Sequence, residues 1–241
     1  MRAFVWLTLA VTIACAGNEA EPEAERETAL GFSLDSVSRD SLSGAGDVLT
    51  YGVVQWGDTT WRVKSFAAFR DTLFTVIAAR DTTALFALLA PDIKSSFGGD
   101  EGLEGFRAHW ELASGSTRLW TVLQDVLMQS GRFEGLDRYV APYTYFGLPD
   151  SLDPYTHLIA RKSAVRVFAR ADTTSRVVGI LAYHVVRLAD TLPPEPWVGI
   201  ALKDSAVGFV QSEFVRSPLD YRITIVREDG RWRIIYFLAG D

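Results

Sequence analysis

The chain carries 24 basic and 30 acidic side chains in 241 residues, a formal net charge of −6. That balance, with no basic stripe, excludes the electrostatic footprint of a nucleic-acid-binding protein. Hydrophobic residues make up 48% of the chain and aromatic ones 12%, enough to bury a substantial core. A single cysteine, Cys15, excludes an internal disulfide, and the three histidines, His109, His157 and His184, show no zinc-motif spacing.

In chain order, the first element is an apolar leader. Met1-Arg2 is followed by uncharged residues from Ala3 to Ala14, then by Cys15. A basic start, an apolar core and small residues are the parts of a secretory signal. The core is too short to span a bilayer, which takes about 20 residues. Thr12-Ile13-Ala14-Cys15 resembles a bacterial lipobox, which implies cleavage after Ala14 and lipidation of Cys15. The other reading is an ordinary A-x-A site at Ala14-Cys15-Ala16, with the cysteine discarded. Lipidation implies a diacylglyceryl thioether and an N-acyl chain of palmitate type, and two or more chains anchor stably.

Residues 15–46 read as a linker. Glu19, Glu21, Glu23, Glu25 and Glu27 alternate along it, and a serine-rich stretch follows. Few apolar side chains are present there to offset ordering entropy.

From 47 to 156 the pattern is mixed. Val48–Gln55 predicts a strand, with Trp56-Gly57-Asp58 as a turn. Phe66, Phe69, Leu73, Val76 and Ile77 recur at helical spacing. Asp81 reads as the N-cap of a second helix that Pro91 stops. Ile93–Phe97 predicts a short strand. Helices are expected around Leu103, Phe106 and Trp110, ending near Gly115, and from Leu119 to Leu127, ending at Gly131. Tyr139–Phe146 predicts an edge or bulged strand broken by Pro142.

From 157 to 216 short strands dominate: Val165–Phe168, Val177–Leu181, Tyr183–Leu188, Trp197–Leu202 and Val207–Val210. Strands this dense, without intervening helices, predict a small barrel. Residues 217–241 predict a hairpin, Tyr221–Arg227 and Trp232–Leu238, turning at Asp229-Gly230. Ile234, Ile235, Phe237 and Leu238 are apolar on both faces, so the last strand is expected inside a sheet, packed back on the N-terminal region.

The series Val165-Arg166-Val167, Ser175-Arg176-Val177-Val178-Gly179-Ile180-Leu181, Trp197, Gly208-Phe209-Val210 and Phe214-Val215 resembles a bacterial SH3 domain over about 60 residues. Arg166, Phe168 and Ala171 depart from that pattern. The remainder resembles uncharacterised bacterial lipoproteins with a late SH3-like domain. The shared segments are Ser96-Phe97-Gly98-Gly99, Ala141-Pro142-Tyr143, Ser217-Pro218-Leu219-Asp220-Tyr221-Arg222 and Ala239-Gly240-Asp241. Helices followed by a terminal Gly-Arg-Trp-Arg-Ile strand also resemble NTF2-like α+β cones.

Catalytic signals are sparse. His157 near Asp153 is an orienter-and-base pair on paper, yet no nucleophile can be set beside it. Gly98-Gly99-Asp100-Glu101-Gly102 precedes a helix as phosphate loops do, but its acids repel phosphate and no lysine follows. Asp150, Asp153 and Asp172 lack calcium-loop spacing. No catalytic residue, metal site or cofactor is therefore expected. Tyr143, Tyr145, Tyr155, Phe168 and Trp197 are the candidate ligand-binding residues, since aromatic walls suit sugar rings and peptide side chains.

The expectation is an α+β protein with an SH3-like β-barrel and a C-terminal hairpin on the N-terminal domain. It would be an extracytoplasmic lipoprotein, anchored by lipid at the bacterial outer membrane and facing the periplasm. The SH3 resemblance implies non-catalytic binding of peptidoglycan or peptides. A small-ligand or enzymatic pocket in an NTF2-like cone, or an envelope assembly and docking role, are the alternatives.

Overall fold

A computed structural model describes residues 46–54, 60, 63–99, 101–114 and 117–240. The leader, Cys15, the acidic linker and the Trp56-Gly57-Asp58 turn lie outside the described residues. Among the described residues the chain is α+β. Its elements in order are β1 (Thr50–Val53), α1 (Lys64–Ala79), α2 (Thr82–Leu88), β2 (Leu89–Lys94), α3 (Gly102–His109), α4 (Leu119–Met128), β3 (Arg132–Glu134), β4 (Arg138–Ala141) and α5 (Tyr143–Phe146). Then follow β5 (His157–Ala160), β6 (Val165–Phe168), β7 (Val177–Leu181), β8 (His184–Arg187), β9 (Trp197–Ala201), β10 (Val207–Gln211), β11 (Val215–Arg216), β12 (Arg222–Glu228) and β13 (Arg231–Leu238).

The helices follow the apolar spacing. α1 buries Phe66, Leu73, Val76 and Ile77 on one face. It stops where Arg80 turns left-handed at φ 50°, and the N–H groups of Arg80 and Asp81 donate back to the Ile77 and Val76 carbonyls. Asp81 then caps α2 by accepting from the Ala84 N–H at 2.9 Å. α2 ends at Leu88, and β2 runs straight through Pro91, not from Ile93 as expected. The proline is tolerated because β2 is an edge strand of the sheet and its register with β13 is irregular between Leu89 and Lys94. α3 ends at His109 and α4 at Met128, each short of the glycine expected to stop it.

The C-terminal hairpin sits inside a five-stranded sheet of order β2-β13-β12-β4-β3. β4 is interior to this sheet, not an edge, because β3 pairs along its far side. Beyond Pro142 the expected strand turns into α5. The inner face of the sheet is filled. Phe66 of α1 stands 4.4 Å from Tyr139 and 5.0 Å from both Phe133 and Trp232, centroid to centroid. Trp110, which ends α3, stacks on Phe237 at 5.0 Å. Two aromatic anchors thus hold the helices to the sheet, each adding about 0.5–1.5 kcal/mol beyond simple burial.

Residues 157–216 together with β1 form two four-stranded sheets, β1-β8-β5-β11 and β7-β6-β10-β9. Neither sheet closes on itself among the described residues. They share a core of Val165, Val167, Val178, Leu181, Val186, Ile200, Val210 and Val215. His157 opens the buried strand β5. β1, expected to belong with the N-terminal region, pairs with β8. Residues 46–49 go further and bond to both outer strands of the second sheet. The Asp47 N–H donates to Val178 of β7, the Leu49 N–H donates to Ala201 of β9, and the Lys203 N–H donates to Asp47. Val48 between them is fully buried in the shared core.

Candidate functional site

Alternation along the second four-stranded sheet decides which of its aromatics face outward. Val167, Ile200 and Val210 lie in the core. Their neighbours Gly199 and Phe209 therefore point to the opposite face, and Phe168, which follows an irregularity in register after Val167, pairs with Phe209. There Val177, Phe168, Phe209 and Gly199 stand in cross-strand register over four strands. Trp197, half-buried, meets Phe168 edge to face at 5.7 Å. Val177 and Ile180 are exposed beside this row. The result is an apolar outer face on which Phe168 is buried and Trp197 and Phe209 are half-buried, with Thr191 lying over Gly199.

A second cluster lies where α4 meets the β-strands. Arg216 of β11, 5% exposed, donates through Nη1 to Asp125 Oδ2 at 2.6 Å and through Nη2 to the Tyr221 carbonyl at 2.6 Å. Arg161 donates to the other Asp125 oxygen. Gln129, one turn after Asp125, donates to its carbonyl at 3.0 Å. Burial pulls the Arg216 pKa below its ordinary value, and the charges of Asp220 and Asp125 oppose that pull. One carboxylate thereby holds two guanidinium groups from a different part of the sequence.

The third cluster is at one end of the five-stranded sheet. Arg222 opens β12, and its Nη1 donates to the Gly240 carbonyl at 2.5 Å. Its guanidinium carbon lies 4.6 Å from the Tyr145 ring centroid and 5.6 Å from that of Phe97. Both rings are exposed, Phe97 at 61% and Tyr145 at 41%.

The five sequence-predicted residues fall into separate surroundings. Phe168 and Trp197 touch each other on the outer β-face. Tyr145 belongs to the Arg222 cluster. Tyr155 is exposed in a turn where its N–H donates to Asp153 Oδ1 at 2.9 Å. Tyr143 is buried among Val54, Ile159 and Val185, and its hydroxyl donates to the Ala160 carbonyl at 3.4 Å. Burial raises the Tyr143 pKa, with Tyr183 adding to the rise. The five are therefore not brought together: Phe168 and Trp197 meet, Tyr145 and Tyr155 lie apart, and Tyr143 is in the core.

The histidines are each held by local contacts. His157 packs edge-on against Tyr51 at 4.8 Å and has Nδ1 3.0 Å from the Asp153 carbonyl. His184 accepts at Nδ1 from the Ala182 N–H at 2.8 Å. His109 lies 3.3 Å from the Tyr221 hydroxyl. Among the described residues no group of three metal-ligating side chains converges, and no helix is long and apolar enough to cross a membrane.

Sequence reasoning passed over Phe97, Asp125, Phe209, Arg216 and Arg222. Phe209 was readable from strand alternation. The others depend on pairings between distant segments. Phe97, Arg222 and Gly240 come from separate segments, and they meet at one sheet end.

No family model matches the chain, and no curated protein matches it. Among solved structures, it is similar to an NTF2-like protein of unknown function from Pseudomonas putida KT2440. That match has 14% identity and a TM-score of 0.27, and covers 76% of this chain and 89% of the other.

Proposed function

We propose that the chain is a lipid-anchored lipoprotein of the bacterial envelope, held at the outer membrane through Cys15 and facing the periplasm. Its β-strand region, residues 46–54 with 157–216, is read as an SH3-like module that binds peptidoglycan or peptides without chemistry. The observation that carries this reading is the exposed Val177 with the half-buried Phe209 and Trp197, grouped about a buried Phe168. A soluble strand module usually keeps its outer face polar, and apolar side chains grouped there mark a contact surface. Flat aromatic faces offer area to sugar rings and peptide side chains with few rotamers to freeze.

The pocket alternative is less well supported, because the inner face of the five-stranded sheet is occupied by Phe66, Trp110, Tyr139 and Phe237. The test is sedimentation of the full chain with purified peptidoglycan, beside Trp197→Ala and Phe209→Ala. Retention of the parent, and loss with both variants at unchanged melting temperature, supports the reading. Equal retention of all three, or of none, overturns it.

A further inference from the structure

Arg222 is immobilised but not neutralised. Arg132, Arg138, Arg161, Arg216 and Arg227 each face a carboxylate within ion-pair distance. Among the described residues Arg222 has no such partner. Its contacts are the Gly240 carbonyl and the faces of Tyr145 and Phe97. Aromatic faces and a carbonyl fix the plane of a guanidinium without cancelling its charge. One Nη1 bond uses only part of a five-donor fork, and the remaining N–H groups lie in the guanidinium plane.

The neighbours define what such a fork fits. A planar carboxylate pairs with a guanidinium edge through two parallel hydrogen bonds. Phe97 and Tyr145 supply exposed apolar area around it, and two rings grouped with an arginine is the composition of an energetic hot spot. Gly240, whose carbonyl Arg222 bonds, holds a left-handed φ of 95° beside the Phe97 ring.

The geometry points to a second binding site at this sheet end, for the C-terminal end of a peptide: a free α-carboxylate on Arg222, with the last apolar side chain against Phe97 and Tyr145. It goes beyond the reading of the β-module, from which it is separate in residues and in sheet. A phosphate or sulfate is a poorer fit, since its tetrahedral oxygens use the fork less fully than a carboxylate and have no use for the aromatic walls.

The experiment is calorimetric titration of the full chain in detergent with N-acetyl-alanyl-leucine, against the same dipeptide as its C-terminal amide. The acid is expected to bind at least about ten-fold more tightly than the amide, because the amide gives up the charge-assisted pair. Arg222→Gln is expected to abolish that preference, and Arg222→Lys not to restore it. Phe97→Ala and Tyr145→Ala each weaken the acid several-fold; both side chains are exposed, so their loss leaves the melting temperature unchanged. Trp197→Ala leaves dipeptide binding intact, which separates this site from the β-module. Equal affinity for acid and amide, no heat from either, or binding indifferent to Arg222→Gln with the fold retained, overturns the proposal.

Discussion

Arg216 and Asp125, joined at 2.6 Å, connect the last short strand of the β-module to the helix that packs on the five-stranded sheet. Removing Asp125 leaves a buried guanidinium with the Tyr221 carbonyl at 2.6 Å and, among the described carboxylates, Asp220 at 3.7 Å. Asp125→Ala is therefore expected to cost about 3 kcal/mol, the scale of breaking a buried pair from one side. Arg216→Met, which removes the charge and keeps the volume, is expected to cost less. Urea titrations of the two variants and their double mutant give the coupling.

Tyr143 makes stability depend on alkaline pH. Its folded pKa is raised above the ordinary 10.0 by burial. The neutral phenol is thus preferred when folded. Its contribution is whole below the unfolded value of 10.0 and drains away as pH climbs from there toward the raised one. The urea midpoint of the parent is expected to fall between about pH 8 and about pH 10.5 by more than that of Tyr143→Phe. Parallel falls in the two proteins contradict the assignment.

Gly131 precedes β3 at a point where the backbone passes close to β4. A Cβ there would strike the Val140 carbonyl and the Tyr139 ring. Neither neighbour is a loose side-chain end, so Gly131→Ala is expected to cost about 2 kcal/mol. Thermal melts read this directly.

Arg80 offers the opposite sign. It holds a left-handed conformation, φ 50°, at the end of α1 with its side chain exposed. Glycine takes that conformation without Cβ strain. Arg80→Gly is expected to raise stability by about 0.5–1 kcal/mol, seen as a higher urea midpoint.

Much of this fold was legible where the cause is local. The α1 stripe, the Asp81 cap and the Asp229-Gly230 turn each act within a few residues, and each forms as read. Elements set by distant partners were not legible. Pro91 reads as a stop, yet it sits in a strand because β2 lies at the sheet edge, beside β13 and in irregular register with it, where a missing N–H is tolerated. β5 shows no alternation, since all of its residues are buried. β1 was recognised as a strand, but its partner β8 lies far along the chain. The candidate sites divide in the same way. Phe168 and Trp197 were identified from the strand motifs themselves, whereas Arg222 gains meaning only when Phe97, Tyr145 and Gly240 are brought beside it.

The bonds of residues 46–49 to β7 and β9 fix how the protein bears mechanical load. Tension applied at Gly46 passes first into Val178, Ala201 and Lys203, where the Asp47 and Leu49 backbones are tied. The helices and the five-stranded sheet lie behind that junction along the line of force. A pull from the N-terminal side therefore strips the latch of the β-module before it strains anything else, and with it goes Val48 from the shared core.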